Sequence, residues 1–305
     1  MSLRKIISVF TGVLFSGTAF SQQATEQNFD SIPLIAKAAK LTLVSNQFAF
    51  TEGPAADKDG NIYFTDQPNN KIWKYDTGGK LSVYMENTGR SNGMSFDNKG
   101  VLISCADENN QLWAIDANKK VKVLLTDLNG TKLNGPNDVW VHKSGGMYLT
   151  DPYYQRDWWK RQSPEMKGEY VLYLPPGENQ PIIVDSTLKQ PNGITGKHDG
   201  STLFVADIGD NKTYEYNINK DGSLSNRKLF AAQGSDGMTI DEKGNIYLTG
   251  NGVTIYDPSG KKITNIAVPS KWTANVCFGG KNHTTLFITA SESVYTLEMT
   301  VKTGE

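Results

Sequence analysis

Cysteine, histidine and net charge are all scarce in this sequence. Cys105 and Cys277 are the only thiols in 305 residues, far apart and without metal-cluster spacing, which excludes a disulfide scaffold and a thiolate zinc site. A hydrophobic fraction of 38% suffices for a globular core without such staples, so both thiols are expected to be buried and free. Lys and Arg total 31 against 32 Asp and Glu, a net charge of −1, and no basic cluster is interleaved with aromatics. A chain so balanced has no long-range field for gathering nucleic acid or an anionic membrane. Long apolar runs are missing too: the run from Ile6 to Phe15 falls short of the roughly 20 residues needed to span a bilayer.

What the N-terminus does contain is an ordered set of signals. Arg4 and Lys5 precede that apolar run, and Ala19 and Ser21 stand at the −3 and −1 positions of a cut, the order of a secretory signal peptide over residues 1–21. A variable segment, 22–39, follows, and 40–305 is expected to fold as one domain, exported to a periplasm or secreted.

Within that domain one phrase recurs: "DKDGNIYFTD", "DNKGVLISCAD", "HKSGGMYLTD", "KHDGSTLFVAD", "DEKGNIYLTG" and a degraded "GKNHTTLFITA". Each is a tight turn followed by a short alternating β run. The turn residues Gly60, Gly100, Gly145, Gly200, Gly244 and His283 lie 40, 45, 55, 44 and 39 residues apart, the period of a four-stranded propeller blade. A second hairpin follows most of these phrases, as in "KIWKYDTGGKLSVYM". The expected fold is all-β: a six-bladed β-propeller with four antiparallel strands per blade. Because the sixth repeat runs out of chain after three strands, the run Lys40 to Phe50 is expected to supply its fourth and close the ring.

Eight residues before each turn position stand Glu52, Asn92, Asn137, Asn192, Asp236 and Asn275. In a propeller these equivalent residues begin the strands that line the central channel, so they form a ring at one mouth of it. All six carry a carboxylate or amide oxygen, and hard oxygens converging on one point suit Ca2+, which takes about 6 to 8 of them. Zn2+ would favour His or Cys. A plainer reading is that Asn-Gly and Asp-Gly are good turn formers. It accounts for the glycines, but not for Glu52, nor for Asn137, which Asp138 follows.

The 55-residue interval holds an insert, "PYYQRDWWKRQSPEMKGEY", whose start after Asp151 is expected to overhang the ring. Tyr153, Tyr154, Arg156, Trp158 and Trp159 are candidates for a wall around a sugar ring, with Arg156 free for an anionic group; the alternative is apolar cover for a blade edge. Asp66, Asp107 and Asp207 end second strands on this face, as partners for the ring or caps for turns. His142, His198 and His283 fall near the turns at the opposite end, which excludes a histidine base. "GRSNG", Gly89 to Gly93, matches the G-x-S-x-G elbow but lies between strands, not between strand and helix.

"EGP", "LNGPNDV", "TDP", "PNG" and "SDGM", in that order, resemble the gluconolactonase and regucalcin (senescence-marker protein) family of calcium-dependent six-bladed propeller lactonases, from roughly Phe48 to the C-terminus. Paraoxonase and diisopropyl fluorophosphatase look like more distant relatives. The resemblance implies a divalent metal, usually Ca2+, on Glu52, Asn137, Asn192 and Asp236. It also implies Asp236 as the base for a water that opens a sugar lactone, and leaves Asn92 as a polar group beside the substrate. One departure stands out: regucalcin-like members carry an arginine at the place of Gly135. Two other functions stay open, a non-catalytic calcium-binding propeller and a phosphotriesterase or other ester hydrolase.

Overall fold

The structure, a computed structural model, describes residues 27–304, so the proposed signal peptide lies outside the described residues. Short alternating runs separated by tight turns fold here into six four-stranded antiparallel sheets. Their inner strands are Thr51–Ala56, Ser91–Phe96, Val139–Val141, Pro191–Gly196, Met238–Ile240 and Asn275–Gly279. Among the described residues the only helix is the single turn Ile208–Asp210, and no helix is long and apolar enough to cross a membrane.

The six turn positions share one backbone state for one steric reason. Gly60, Gly100, Gly145, Gly200 and Gly244 have φ between +71° and +87°, where a Cβ is unfavourable, and His283 takes the same role at +57°. Ring closure is as expected. Thr42–Ser45 pairs antiparallel with Ser293–Glu298, placing Thr42 opposite Thr296, so the last blade combines both ends of the chain. The segment before that strand is also packed: Phe29, Leu34 and Ile35 are buried against blades five and six.

No single sheet can bury both of its faces, and the hydrophobic core accordingly lies between blades. Phe64 of blade one meets Phe287 of blade six with ring centroids 5.3 Å apart. Ile103 and Leu112 of blade two pack with Val139 and Leu149 of blade three. Cys105 and Cys277 are buried in different inter-blade clusters and are free thiols.

Hydrogen bonds between neighbouring blades hold the inner strands in common register. Thr65 Oγ1 of blade one donates to the Asn92 carbonyl of blade two at 3.2 Å, and Thr150 Oγ1 of blade three donates to the Asn192 carbonyl of blade four at 2.7 Å. Such bonds tie each inner strand to the next blade beside the axis.

Candidate metal and active site

Glu52, Asn92, Asn137, Asn192 and Asn275 are all buried, at 2–6% exposure, where their strands enter the channel. Asp236 precedes the fifth inner strand and stays partly exposed at the mouth. Glu52 Oε2 accepts hydrogen bonds from Gly53 N at 2.6 Å and Asn275 Nδ2 at 3.2 Å. Asn192 Nδ2 donates to the Tyr154 hydroxyl at 2.9 Å, and Asn192 also hydrogen-bonds Asp236. Trp272 Nε1 donates to Asp236 Oδ2 at 2.5 Å.

Electrostatically the ring is short of positive charge. Burial, reinforced by the charges of Asp236 and Asp138, holds the Glu52 carboxyl well above the usual carboxylate range. Burial pushes Asp236 up to about 6, against the opposing effects of Trp272, Asn192 and Arg156. The oxygens Oδ1 of Asn92 and Oδ1 of Asn192 are buried without a hydrogen-bond partner. Orphaned buried acceptors carry a desolvation cost. A buried carboxyl crowded by two others and the orphaned amide oxygen of Asn192 fit a hard, oxygen-seeking divalent cation. Among the described residues no group of three or more His, Cys, Asp or Glu converges, so amide oxygens must complete any such set.

Asp138 belongs to this centre, although the sequence pattern did not select it. Only 6% exposed, it accepts from Val139 N at 2.9 Å through Oδ1 and from Asn275 Nδ2 at 3.4 Å through Oδ2. One amide of Asn275 thus bridges Glu52 and Asp138. This arrangement corrects the turn reading of the glycines, because Gly53, Gly93 and Gly193 lie inside inner strands. A Cβ on Gly93 would come 2.2 Å from Asp138 Oδ1, and one on Gly237 1.9 Å from Asn275 Cγ. These positions clear the axis for two polar side chains. The signal available in the sequence was that Asp138 stands where Gly53, Gly93, Gly193 and Gly237 stand in other repeats.

A cavity of about 660 Å³ runs from Asp138 and Asn275 toward the opposite face, walled by Met94, Val139, Ile194 and Met238 and lined also by His198 and His283. The histidines therefore sit on the far side of the ring, as strand direction predicted.

The blade-three insert is tied down. Arg156 Nε lies 2.7 Å from Asp107 Oδ2, Trp159 Nε1 donates to the Asp107 carbonyl at 2.9 Å, and Asn134 Nδ2 donates to the Gly168 carbonyl at 2.9 Å. Tyr154 reaches the ring through Asn192, and the Arg156 guanidinium stands 5.5 Å over the Tyr154 ring. Trp158 lies under both Arg90 and Arg156, at 4.5 and 5.7 Å. Tyr153 bonds Gln155 within the loop and packs on Trp159 at 5.9 Å, and Trp159, 7% exposed, is a buried wedge.

The aspartates that end second strands divide into two uses. Asp66, Asp151 and Asp207 cap backbone N–H groups of the chain entering their own blade, at Ala49, Gly135 and Gln190. Asp107 instead holds side chains, Arg156 and Gln67. Gly135, at φ +152°, has no room for a side chain: a Cβ would come 2.8 Å from both Asp107 Oδ1 and the Trp159 ring.

A family model described as the SMP-30/Gluconolactonase/LRE-like region matches residues 50–292. The chain belongs to that family. Within it, the chain is 27% identical to a gluconolactonase of Zymomonas mobilis over 285 residues, covering 83% of this chain and 80% of that protein. It superposes with a TM-score of 0.79 on a Xanthomonas campestris gluconolactonase, at 25% identity, covering 88% of this chain and 94% of the other. A regucalcin from Agrobacterium tumefaciens, described as a calcium-binding protein, shares the fold at 18% identity and a TM-score of 0.71, covering 86% of this chain and 94% of the other. The SMP-30/gluconolactonase match spans every ring position from Glu52 to Asn275.

Proposed function

We propose that this chain hydrolyses a sugar lactone at the channel mouth, with a divalent cation held by Glu52, Asn137, Asn192 and Asp236. The supporting observation is the mouth itself: the buried Glu52 carboxyl, crowded by the charges of Asp236 and Asp138, beside the orphaned Oδ1 of Asn192, in a chain of the gluconolactonase family. The donor set is all oxygen, for which Ca2+ is the best-fitting ion. When bound, the cation supplies Lewis-acid polarisation of the lactone carbonyl and offsets the negative charge developing on its oxygen.

The chain's own groups do the rest. Asp236, the partly exposed carboxylate, takes a proton from the attacking water, whose oxygen bonds the carbonyl carbon. The ring C–O bond then breaks, and Asp236 returns that proton to the departing oxygen, leaving a hydroxy acid. Tyr154 and Arg156 line the substrate side, with Trp158 holding the guanidinium from behind and Asn92 offering its free amide oxygen. The space that Gly135 leaves is filled by Trp159 and Asp107, so the guanidinium enters from the insert. Export through the N-terminal signal is part of the proposal; fractionation of cells expressing the full chain tests it.

The decisive assay follows proton release from D-glucono-1,5-lactone and from simple esters and phosphotriesters, with and without chelator, for wild type and Asp236→Ala. Lactone turnover that both chelation and the substitution abolish supports the proposal. Turnover indifferent to either sinks the mechanism; activity confined to phosphotriesters or to none of the compounds favours the ester-hydrolase or the binding-module reading.

A further inference from the structure

Asp236 has a second aromatic neighbour that the mechanism above leaves unused. Trp272 lies on the segment entering the sixth inner strand, and its backbone is pinned. Its N–H donates to Ser291 Oγ at 3.1 Å, its carbonyl accepts from the same hydroxyl at 3.2 Å, and Thr273 N donates to the Gly250 carbonyl at 3.0 Å. The indole is not buried with that backbone. It is 38% exposed, and its only polar atom is directed into the site, onto Asp236 Oδ2.

That combination sets it apart. The other exposed large hydrophobics among the described residues, such as Val83, Val123, Ile182 and Leu229, all lie on outermost strands. Trp272 alone of that group bonds a ring residue. The benzo edge of its ring passes over Gly250, where an added Cβ would come 3.6 Å from the indole. On the other flank of Asp236 stand Asn192 and, hydrogen-bonded to it, Tyr154. The rim therefore reads Trp272, Asp236, Asn192, Tyr154, with an aromatic at each end.

We propose that Trp272 is a specificity-determining residue, the second wall of the substrate slot, which selects lactones whose ring is a polyhydroxylated sugar. The inference rests on the lactonase reading and names the substrate feature that the site recognises. Sugar rings present C–H faces between their hydroxyls, and an indole offers a broad flat surface for such a face at small side-chain entropy cost. Its N–H, bonded to Asp236, holds that surface at a set distance from the reacting carbonyl. An unsubstituted lactone of the same ring size has no hydroxyl pattern to align against the wall and gains little from it.

The test compares wild type, Trp272→Phe and Trp272→Ala on D-glucono-1,5-lactone and δ-valerolactone. For the sugar lactone, Trp272→Ala should raise KM about tenfold and Trp272→Phe less, since phenylalanine keeps part of the face. KM for δ-valerolactone should stay within about twofold. Equal effects on both substrates, or none, would overturn the assignment. Should wild type hydrolyse neither lactone, the catalytic reading fails, and tryptophan emission then decides for Trp272. Titration with D-glucono-1,5-lactam, which keeps ring and carbonyl and resists hydrolysis, should give a saturable change in wild type that Trp272→Phe lacks. A change that persists in Trp272→Phe, or none in wild type, counts against it.

Discussion

Nε of Arg156 lies 2.7 Å from Oδ2 of Asp107, an ion pair that fastens the blade-three insert to the end of a blade-two strand. Asp107 is 1% exposed, while the arginine side chain keeps 22% of its surface at the rim. The buried partner fixes the direction of the accessible one.

If Arg156 binds substrate, Arg156→Ala should raise KM for a sugar lactone about tenfold, the loss of one charge-assisted hydrogen bond, with kcat much less affected. Asp107→Asn should act in the same direction more weakly, because the guanidinium remains but loses its anchor. Steady-state kinetics on both variants check this; a selective fall in kcat would assign Arg156 to the chemical step instead.

Stability should depend on pH through Asp107. Burial, only partly offset by Arg156, raises its carboxyl from 3.8 to about 6. For a carboxyl raised on folding, the stabilising contribution is complete below its unfolded value and is lost as pH rises through the folded value. Between pH 4 and 8 Asp107 therefore costs the fold on the order of 3 kcal/mol. Urea unfolding at pH 5 and 8 should show a smaller loss toward pH 8 in Asp107→Asn than in wild type; identical slopes would contradict it.

A cation that binds the ring should stabilise the folded chain. At a concentration 100 times Kd, Ca2+ should add about 2.7 kcal/mol to the unfolding free energy. Melting curves with Ca2+ and with chelator measure this, and Asn192→Ala or Glu52→Gln should shrink the difference. A full response in both variants would move the ion elsewhere.

Crowding at the axis makes a packing prediction. The methyl of Gly237→Ala would overlap the Asn275 side chain, 1.9 Å from Cγ. Since Asn275 bridges Glu52 and Asp138, the substitution should cost about 1–3 kcal/mol by overpacking and should weaken Ca2+ binding as well. Gly237 is outside the left-handed region, so its cost is steric alone; Gly130→Ala, at φ +81° with open space around it, should cost backbone strain but leave Ca2+ binding unchanged.

The repeat was legible because its causes are local. A tight turn needs a left-handed residue, and a strand half-buried in a stack needs alternation; both recur in each blade, down to His283 in the sixth turn. An eight-residue offset sufficed to align Glu52, Asn92, Asn137, Asn192, Asp236 and Asn275 because each is reached along one inner strand from its turn. Closure by Thr42–Ser45 followed from counting strands.

Asp66, Asp107, Asp151 and Asp207 look equivalent in the sequence, yet three cap backbone and one holds Arg156. Asp138 shows in the sequence only as a break in the repeat's glycine and Trp272 has no repeat counterpart, and their partners, Asn275 and Asp236, are reached only across the axis or along the rim. Sequence by itself determined the propeller and the place of the six ring positions at the entry of its inner strands, since hydrogen-bonding and steric demands within a repeat are written in neighbouring residues. Tertiary structure alone decided which side chains fill the axis, which aspartate anchors the insert and which aromatic faces Asp236, because those contacts exist only after six blades close and bring distant strands within hydrogen-bond reach.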